Sequence, residues 1–334
     1  MNKDYVKSLN AFPSIDLRSP KEFKKGTIPN SVNLPILNDD EYHEVGKIFK
    51  ANGRKAAIDY GYKIISGEKK INRIESWIKY INNNKNCSIF CYRGGLRSKI
   101  AYEWINSKGI SVSRLDLGYK NYRQQILLMH QDIKNYLGRW IILGGYTGSG
   151  KTDLINKFEY SIDLESIANH RGSAFGKIGV EQPSQSNFES LVSEQYLLKQ
   201  KSTFLLMEDE SRFIGKVHLP GKWYDKMQVS EIILLESDLE ERARRIYYNY
   251  IEEPGSCSSY SWDVGLDNDI YKETKLYNDI KSEYSGDEEA ALTDVRVYNE
   301  VTGDNSVTKT KNSRSPDTEM WPNYGVTMYR EQLP

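Results

Sequence analysis

A cysteine and two arginines around a Gly-Gly turn could hold an anion against a nucleophile. Residues 91–98 supply that set as Cys91, Tyr92, Arg93, Gly94, Gly95, Leu96, Arg97 and Ser98. Gly94 and Gly95 permit the positive φ values that let successive backbone N–H groups curl around one tetrahedral anion. Ser98 opens a predicted helix, whose N-terminus adds positive potential. Arg93 and Arg97 add full charges. These surroundings favour a thiolate, the form of cysteine that attacks. Cys91 is the candidate nucleophile, with Arg93 and Arg97 as its charged partners. An inert cysteine at a strand end needs neither the glycines nor the arginines. Cys87 and Cys257 lack such neighbours and read as structural.

A second loop suits phosphate. Gly145, Tyr146, Thr147, Gly148, Ser149, Gly150, Lys151 and Thr152 form a complete Gly-x4-Gly-Lys-Thr motif between an apolar strand and a helix. Backbone N–H groups there cradle phosphates, Lys151 reaches an outer phosphate and Thr152 can hold a magnesium ion. Gly145, Gly148, Ser149, Gly150, Lys151 and Thr152 are the candidate phosphate-binding residues. The apolar run through Leu206 and Met207 ends in Glu208, Asp209 and Glu210. Asp209 and Glu210 are the candidate Walker B acids. A chain with both loops is expected to move sulfur, or a chemical relative of it, with a phosphorylated co-substrate.

Between these motifs lie His170, Arg171, Gly172 and Ser173, a polar turn suited to an anion or RNA. Arg212 sits in a further polar loop. Lys216, Lys222, Lys226, Arg242, Arg244 and Arg245 could form a basic track for a nucleic-acid backbone. A solvated helix face explains the last three arginines about as well.

The elements that position these loops alternate. Strands are predicted at 14–17, 31–34, 88–91 and 112–117, with helices at 40–58, 71–82 and 98–108. A second series has strands at 140–143, 161–164, 203–207 and 231–235, with helices at 151–158, 187–199 and 239–250. Such alternation implies two α/β units with parallel sheets. The expected boundaries are 1–125 for the cysteine-loop domain, 126–138 for a connecting segment and 139–251 for the P-loop domain. An acidic tail, 252–334, is poor in apolar periodicity and is expected to be disordered or loosely packed.

Bulk properties narrow the class. The chain has 334 residues, enough for two domains. A mean hydropathy of −0.66 and no apolar run of spanning length argue against a membrane protein. Residues 1–12 hold no apolar stretch of signal-peptide length, and three cysteines make no disulfide framework. A reducing cytoplasm is the expected location. The zero net charge hides an asymmetry. Residues 252–334 carry 17 acidic and 8 basic side chains, a balance of −9, which leaves 38 basic and 29 acidic, or +9, for residues 1–251. A basic body is compatible with a nucleic-acid partner.

Cys-x5-Arg alone fits phosphoryl transfer to sulfur, as in phosphatases, or carriage of a persulfide, as in rhodanese domains. The segment Asp16, Leu17, Arg18, Ser19, Pro20, Lys21, Glu22, Phe23, followed by Gly26 to Asn30, resembles the opening of a rhodanese domain. The cysteine loop is one residue longer than the usual rhodanese loop and could seat a phosphate-sized group.

The full set of motifs resembles the bacterial tRNA 2-selenouridine synthase family. The matching stretches are residues 16–23, 33–35, 45–46, 90–98, 118–123, 145–152, 163–176 and 208–220, so the resemblance covers roughly residues 10–250. It implies a rhodanese-like domain joined to a P-loop domain. It also implies a transferase that replaces sulfur by selenium in wobble 2-thiouridine of tRNA. Selenophosphate and geranyl diphosphate are the implied co-substrates, with an S-geranylated intermediate, and a selenophosphate-producing enzyme is an implied partner. His170, Arg171, Ser173, Arg212, Lys120 and Arg123 are carried over as candidate substrate or RNA contacts. Phe90 and Tyr92 flank the cysteine where the family has Tyr and Trp, Leu117 replaces a glycine, and the tail matches nothing in the family. The alternative is a P-loop kinase or NTPase with a regulatory rhodanese or phosphatase-like domain.

Overall fold

The computed structural model describes residues 3–133, 138–170, 181–238, 241–242, 245 and the backbone of 327–329. The chain forms two compact units. The first comprises Met1–Tyr136, Gln182–Gln200 and Lys216–Trp223, and the second comprises Leu137–Glu181, Lys201–Gly215 and Tyr224–Pro334.

The first unit begins with α1 (Lys3–Ala11), β1 (Ser14–Asp16), α2 (Pro20–Lys25) and β2 (Ser31–Asn33). It continues with α3 (Asp39–Ile64), α4 (Gly67–Asn83), β3 (Ser88–Phe90), α5 (Leu96–Asn106), β4 (Ser113–Arg114) and α6 (Gly118–Gln131). The sheet order β2-β1-β3-β4 is parallel throughout. Parallel strands need both faces covered, and the two central strands, β1 and β3, are buried at every residue. Ile15, Leu17, Trp77, Ile89, Ala101 and Ile105 form the core. Buried Trp77 donates its indole N–H to Leu34 O at 2.9 Å.

Local sequence sets the helix starts. Ser19 and Glu22 make a capping box at α2, and Asn38 and Glu41 make another at α3. Each cap contributes about 1 kcal/mol. α3 runs past the expected 40–58 and kinks at Gly53, where φ is 82°. α6 occupies the start of the expected connecting segment, and residues 134–137 of that segment lie outside the described residues.

The second unit contains β5 (Arg139–Gly144), α7 (Lys151–Ile155), β6 (Ser161–Ile162) and α8 (Leu164–Ala168). α9 (Gln185–Lys199) follows in sequence but belongs to the first unit. Next come β7 (Phe204–Glu208), β8 (Phe213–Ile214), β9 (Val217–His218), α10 (Gly221–Gln228), β10 (Glu231–Leu234) and β11 (Thr327–Tyr329), of which β9 and the first three residues of α10 belong to the first unit. The sheet order is β11-β10-β5-β7-β6, parallel except for β11, which pairs antiparallel with β10. Ile141, Leu143, Leu154, Leu206 and Ile233 lie in its core. Both sheets meet the α/β expectation.

The helix expected at 239–250 is described only at residues 241, 242 and 245. The expected acidic tail lies outside the described residues apart from β11. Among the described residues no helix is long and apolar enough to cross a membrane.

Candidate active site

Cys91 follows β3 directly, and its side chain lies at the start of α5. Its Sγ approaches Ser98 Oγ at 3.3 Å, and Ser98 Oγ donates to Gly95 O at 3.1 Å. The thiol is 3% exposed. The first N–H groups of a helix lack intrahelical partners, so this placement sets unpaired donors beside the sulfur. α5 starts at Leu96, two residues before the expected Ser98.

The loop is held from behind. Tyr119 N donates to Cys91 O at 3.0 Å and Lys120 N to Tyr92 O at 2.8 Å, so the start of α6 braces it. Arg114 Nη1 donates to Gly94 O at 2.6 Å. Gly118 has φ +58°, and any Cβ there would strike Cys91 O and come within 2.6 Å of Gly94 N. Leu117 has φ −100° and ψ −9°, open to any residue. The leucine there therefore adds no backbone strain.

The two expected arginines differ. Arg97 donates from Nη1 to Glu22 Oε2 at 2.5 Å and from Nη2 to Glu22 Oε1 at 3.1 Å. Burial opposes charge on both partners. Their mutual hydrogen bonds and charges outweigh it, holding Glu22 low and Arg97 high. Arg97 also feels the Cys91 sulfur, which places its charge beside the thiol. Arg93 is exposed and lies 5.8 Å from the Tyr92 ring centroid. Lys120 is exposed. Arg123 is ion-paired with Glu189 of α9, so its charge is committed within the unit.

A buried pair not singled out from sequence underlies the loop. Arg18 Nη2 meets Asp16 Oδ2 at 2.5 Å, with both side chains almost fully buried. Arg18 also donates to Gly26 O at 2.6 Å and lies 4.0 Å from the Tyr119 ring centroid. Removing one partner of such a pair typically costs about 3–5 kcal/mol. α9 closes the same unit through Asn187, which accepts from Thr27 N at 2.8 Å, and Ser193, 2.6 Å from His130 Nε2. Burial pushes His130 down to about 4, so the ring is neutral and structural. Cys87, pushed up to about 11 by burial, is a poor nucleophile.

The P-loop of the second unit joins β5 to α7. Gly145, Gly148 and Gly150 adopt φ values of 144°, 81° and 94°. Lys151 Nζ folds onto Gly145 O at 2.7 Å and Tyr146 O at 3.2 Å. Thr152 Oγ1 donates to Glu208 Oε1 at 3.1 Å, and Glu165 N donates to Glu208 Oε2 at 3.2 Å. Glu208, the last residue of β7, is thus the acid on Thr152, rather than Asp209 or Glu210. The backbone N–H of Asp209 instead continues the sheet to Leu143 O at 2.9 Å. Glu210 joins the cluster through its hydrogen bond with Glu165. Burial raises Glu165, Glu208 and Glu210, and their mutual repulsion raises them further. Lys151 opposes the shift but does not reverse it.

The expected basic track divides between the units. Lys216 and Lys222 are exposed on the first. On the second, Arg242 Nε donates to Thr147 O at 3.1 Å and Arg245 Nη1 to Gly148 O at 3.2 Å. These two arginines brace the P-loop. Arg212 is exposed, and His170 is buried with its backbone N–H on Glu165 O at 3.0 Å. Arg171, Ser173 and Arg244 lie outside the described residues.

Comparison with known proteins gives two successive matches along the chain. Residues 2–125 match the rhodanese-like domain family, and residues 138–273 match the tRNA 2-selenouridine synthase AAA domain, so the match runs past residue 251 into the tail that was expected to match nothing in the family. A tRNA 2-selenouridine synthase from Shewanella denitrificans is 42% identical over 246 residues, covering 73% of this chain and 67% of that protein. The chain belongs to the tRNA 2-selenouridine synthase family. A second relative of that name, from Shewanella halifaxensis, is 38% identical over 247 residues, 73% of this chain and 67% of its own length. The family sets the chain among tRNA-modifying enzymes rather than among P-loop kinases. Glu208, Glu22 and Ser98 are the site residues that composition and motif reading undervalued. The only signal for Glu208 was an acid closing an otherwise apolar strand.

Proposed function

We propose that this enzyme replaces sulfur by selenium at C2 of wobble 2-thiouridine in tRNA, in two steps served by different loops. In the first, the thiouridine sulfur attacks C1 of geranyl diphosphate. The C–O bond breaks and pyrophosphate leaves, which gives an S-geranyl thioether and releases one proton from the base. In the second, the selenium of selenophosphate attacks C2, and the C2–S bond breaks so that geranylthiol leaves with one proton in place of the poorer sulfide leaving group; water then cleaves the Se–P bond and phosphate is released.

The observation that carries this reading is one chain with two anion cradles of different chemistry. The P-loop has phosphate-binding backbone geometry with Lys151 and Thr152, suited to a diphosphate that departs without nucleotide hydrolysis. The other cradle holds a thiol at a helix start beside the Arg97–Glu22 pair. It suits the selenophosphate-derived group. Among the described residues no cluster of three or more His, Cys, Asp or Glu side chains could hold a metal. The hard oxygens of Thr152 and Glu208 fit a magnesium ion shared with substrate phosphate, where it would offset the leaving charge.

The test is nucleoside mass spectrometry on tRNA incubated with Lys151→Ala and Cys91→Ala proteins. Lys151→Ala is expected to leave unmodified 2-thiouridine. Cys91→Ala is expected to accumulate S-geranyl-thiouridine when geranyl diphosphate is supplied. The opposite pattern reverses the assignment of loops. Plain thiouridine from both variants would mean that the loops act in one step. ATP turnover without tRNA dependence would favour a nucleotide hydrolase instead.

A further inference from the structure

Resting on the selenation reading, we infer that Tyr92 is a stacking platform for the unstacked nucleobase offered to Cys91. The chemistry at C2 needs the ring carbon within bonding reach of a group at the Cys91 sulfur. A base stacked within an RNA loop is sandwiched by its neighbours and cannot approach a buried thiol. It must leave its stack, and proteins compensate with an aromatic face.

Tyr92 is next to the nucleophile and 39% exposed. Its backbone is fixed, because Tyr92 O accepts from Lys120 N at 2.8 Å. The ring leans on Tyr119, with centroids 6.5 Å apart, and Arg93 lies 5.8 Å from its centroid. That leaves a supported ring with a free surface. Two exposed apolar residues belong to the same loop and the segment that braces it. Leu96, in the cysteine loop, is 38% exposed, and Leu117, in the segment lying against that loop, is 61% exposed. Arg93, in the loop, Lys99, in the first turn of α5, and Lys120, whose backbone holds Tyr92 O, are all exposed. An exposed aromatic and two leucines among three free cations match the two faces of a nucleotide, a flat apolar base and an anionic phosphate. A protein partner would need a wider apolar face, and a membrane surface would need no anion cradle.

The experiment compares two short anticodon-loop RNAs, one with 2-thiouridine at the wobble position and one abasic there. Wild-type full-length protein is expected to bind the base-containing RNA about tenfold or more tightly, as one stacked base contributes. Tyr92→Ala is expected to bind both RNAs alike, while Tyr92→Trp retains the preference. The salt dependence should not change in Tyr92→Ala, because no phosphate contact is lost. Unchanged thermal melting of the variants excludes misfolding as the cause. Equal wild-type binding of both RNAs, with selenation intact, overturns the stacking site alone. A preference that survives Tyr92→Ala does the same. Absence of both RNA binding and selenation in wild type overturns the underlying reading and the site with it.

Discussion

Thr152 donates its hydroxyl to Glu208 at 3.1 Å, so the acid partner of the phosphate loop closes β7 instead of following it. Glu208 is fully buried there and also receives the backbone N–H of Glu165. One carboxylate thereby ties the P-loop to the start of α8.

Glu208→Gln should weaken magnesium-dependent diphosphate binding by roughly ten- to a hundredfold, because a bound cation would draw Glu208 into its charged form and the amide cannot follow. Asp209→Asn should change it by less than about threefold. Isothermal titration with geranyl diphosphate and magnesium measures both. A neutral Glu208→Gln beside a crippled Asp209→Asn would move the metal-binding role to Asp209.

The acid cluster predicts a pH dependence of stability. Burial, then mutual repulsion, holds Glu165 and Glu210 above the ordinary carboxylate value. The folded chain keeps protons that the unfolded chain releases. The stabilisation is therefore complete below the ordinary value of 4.5 and is lost as pH rises through the raised values, up to about 9 for Glu165. Calorimetry at pH 5, 7 and 9 should show a falling transition temperature for the P-loop unit. Glu165→Gln should flatten the trend, and an unchanged slope would remove Glu165 as its source.

Gly118→Ala should disturb the cysteine loop although it lies outside it. A left-handed alanine costs about 1 kcal/mol, and its Cβ would also collide with Cys91 O. Slower thiol alkylation at Cys91 and a lower melting temperature are expected. Leu117→Gly, at a conformation open to any residue, should leave alkylation within about twofold of wild type, despite some cost from added chain freedom.

Affinity for tRNA should fall steeply with salt, because phosphate contacts release counterions. The motivation is the +9 balance of residues 1–251. A plot of log affinity against log salt is expected to have a slope of several units. Replacing Lys120 with alanine should reduce its magnitude by about one if Lys120 touches phosphate, whereas a flat plot would exclude a backbone track.

Much of the architecture was legible from residues that act locally. Strand–helix alternation, the Gly-Gly turn after β3 and the Gly-x4-Gly-Lys-Thr motif carry their conformations in nearest-neighbour chemistry. Most of these elements stand where the periodicity put them, within a few residues, while α3 runs six residues past its expected end. The family was legible for the same reason, since its motifs are short and contiguous. What tertiary structure alone decided involves partners far apart in sequence. α9 lies in the P-loop half of the chain, yet Asn187, Glu189 and Ser193 bind Thr27, Arg123 and His130 of the cysteine unit. Its apolar pattern announced a helix but not which core would bury it. Arg97 read as a charged partner of Cys91, and nothing local pointed to Glu22, 75 positions earlier, which engages both of its terminal nitrogens. Three consecutive acids at 208–210 were equivalent as letters. Register in the sheet separated them, because Glu208 still belongs to β7 and meets Thr152, while the next backbone N–H is spent on Leu143. Local propensity sets conformation, but the pairing of distant charges depends on which strands lie side by side.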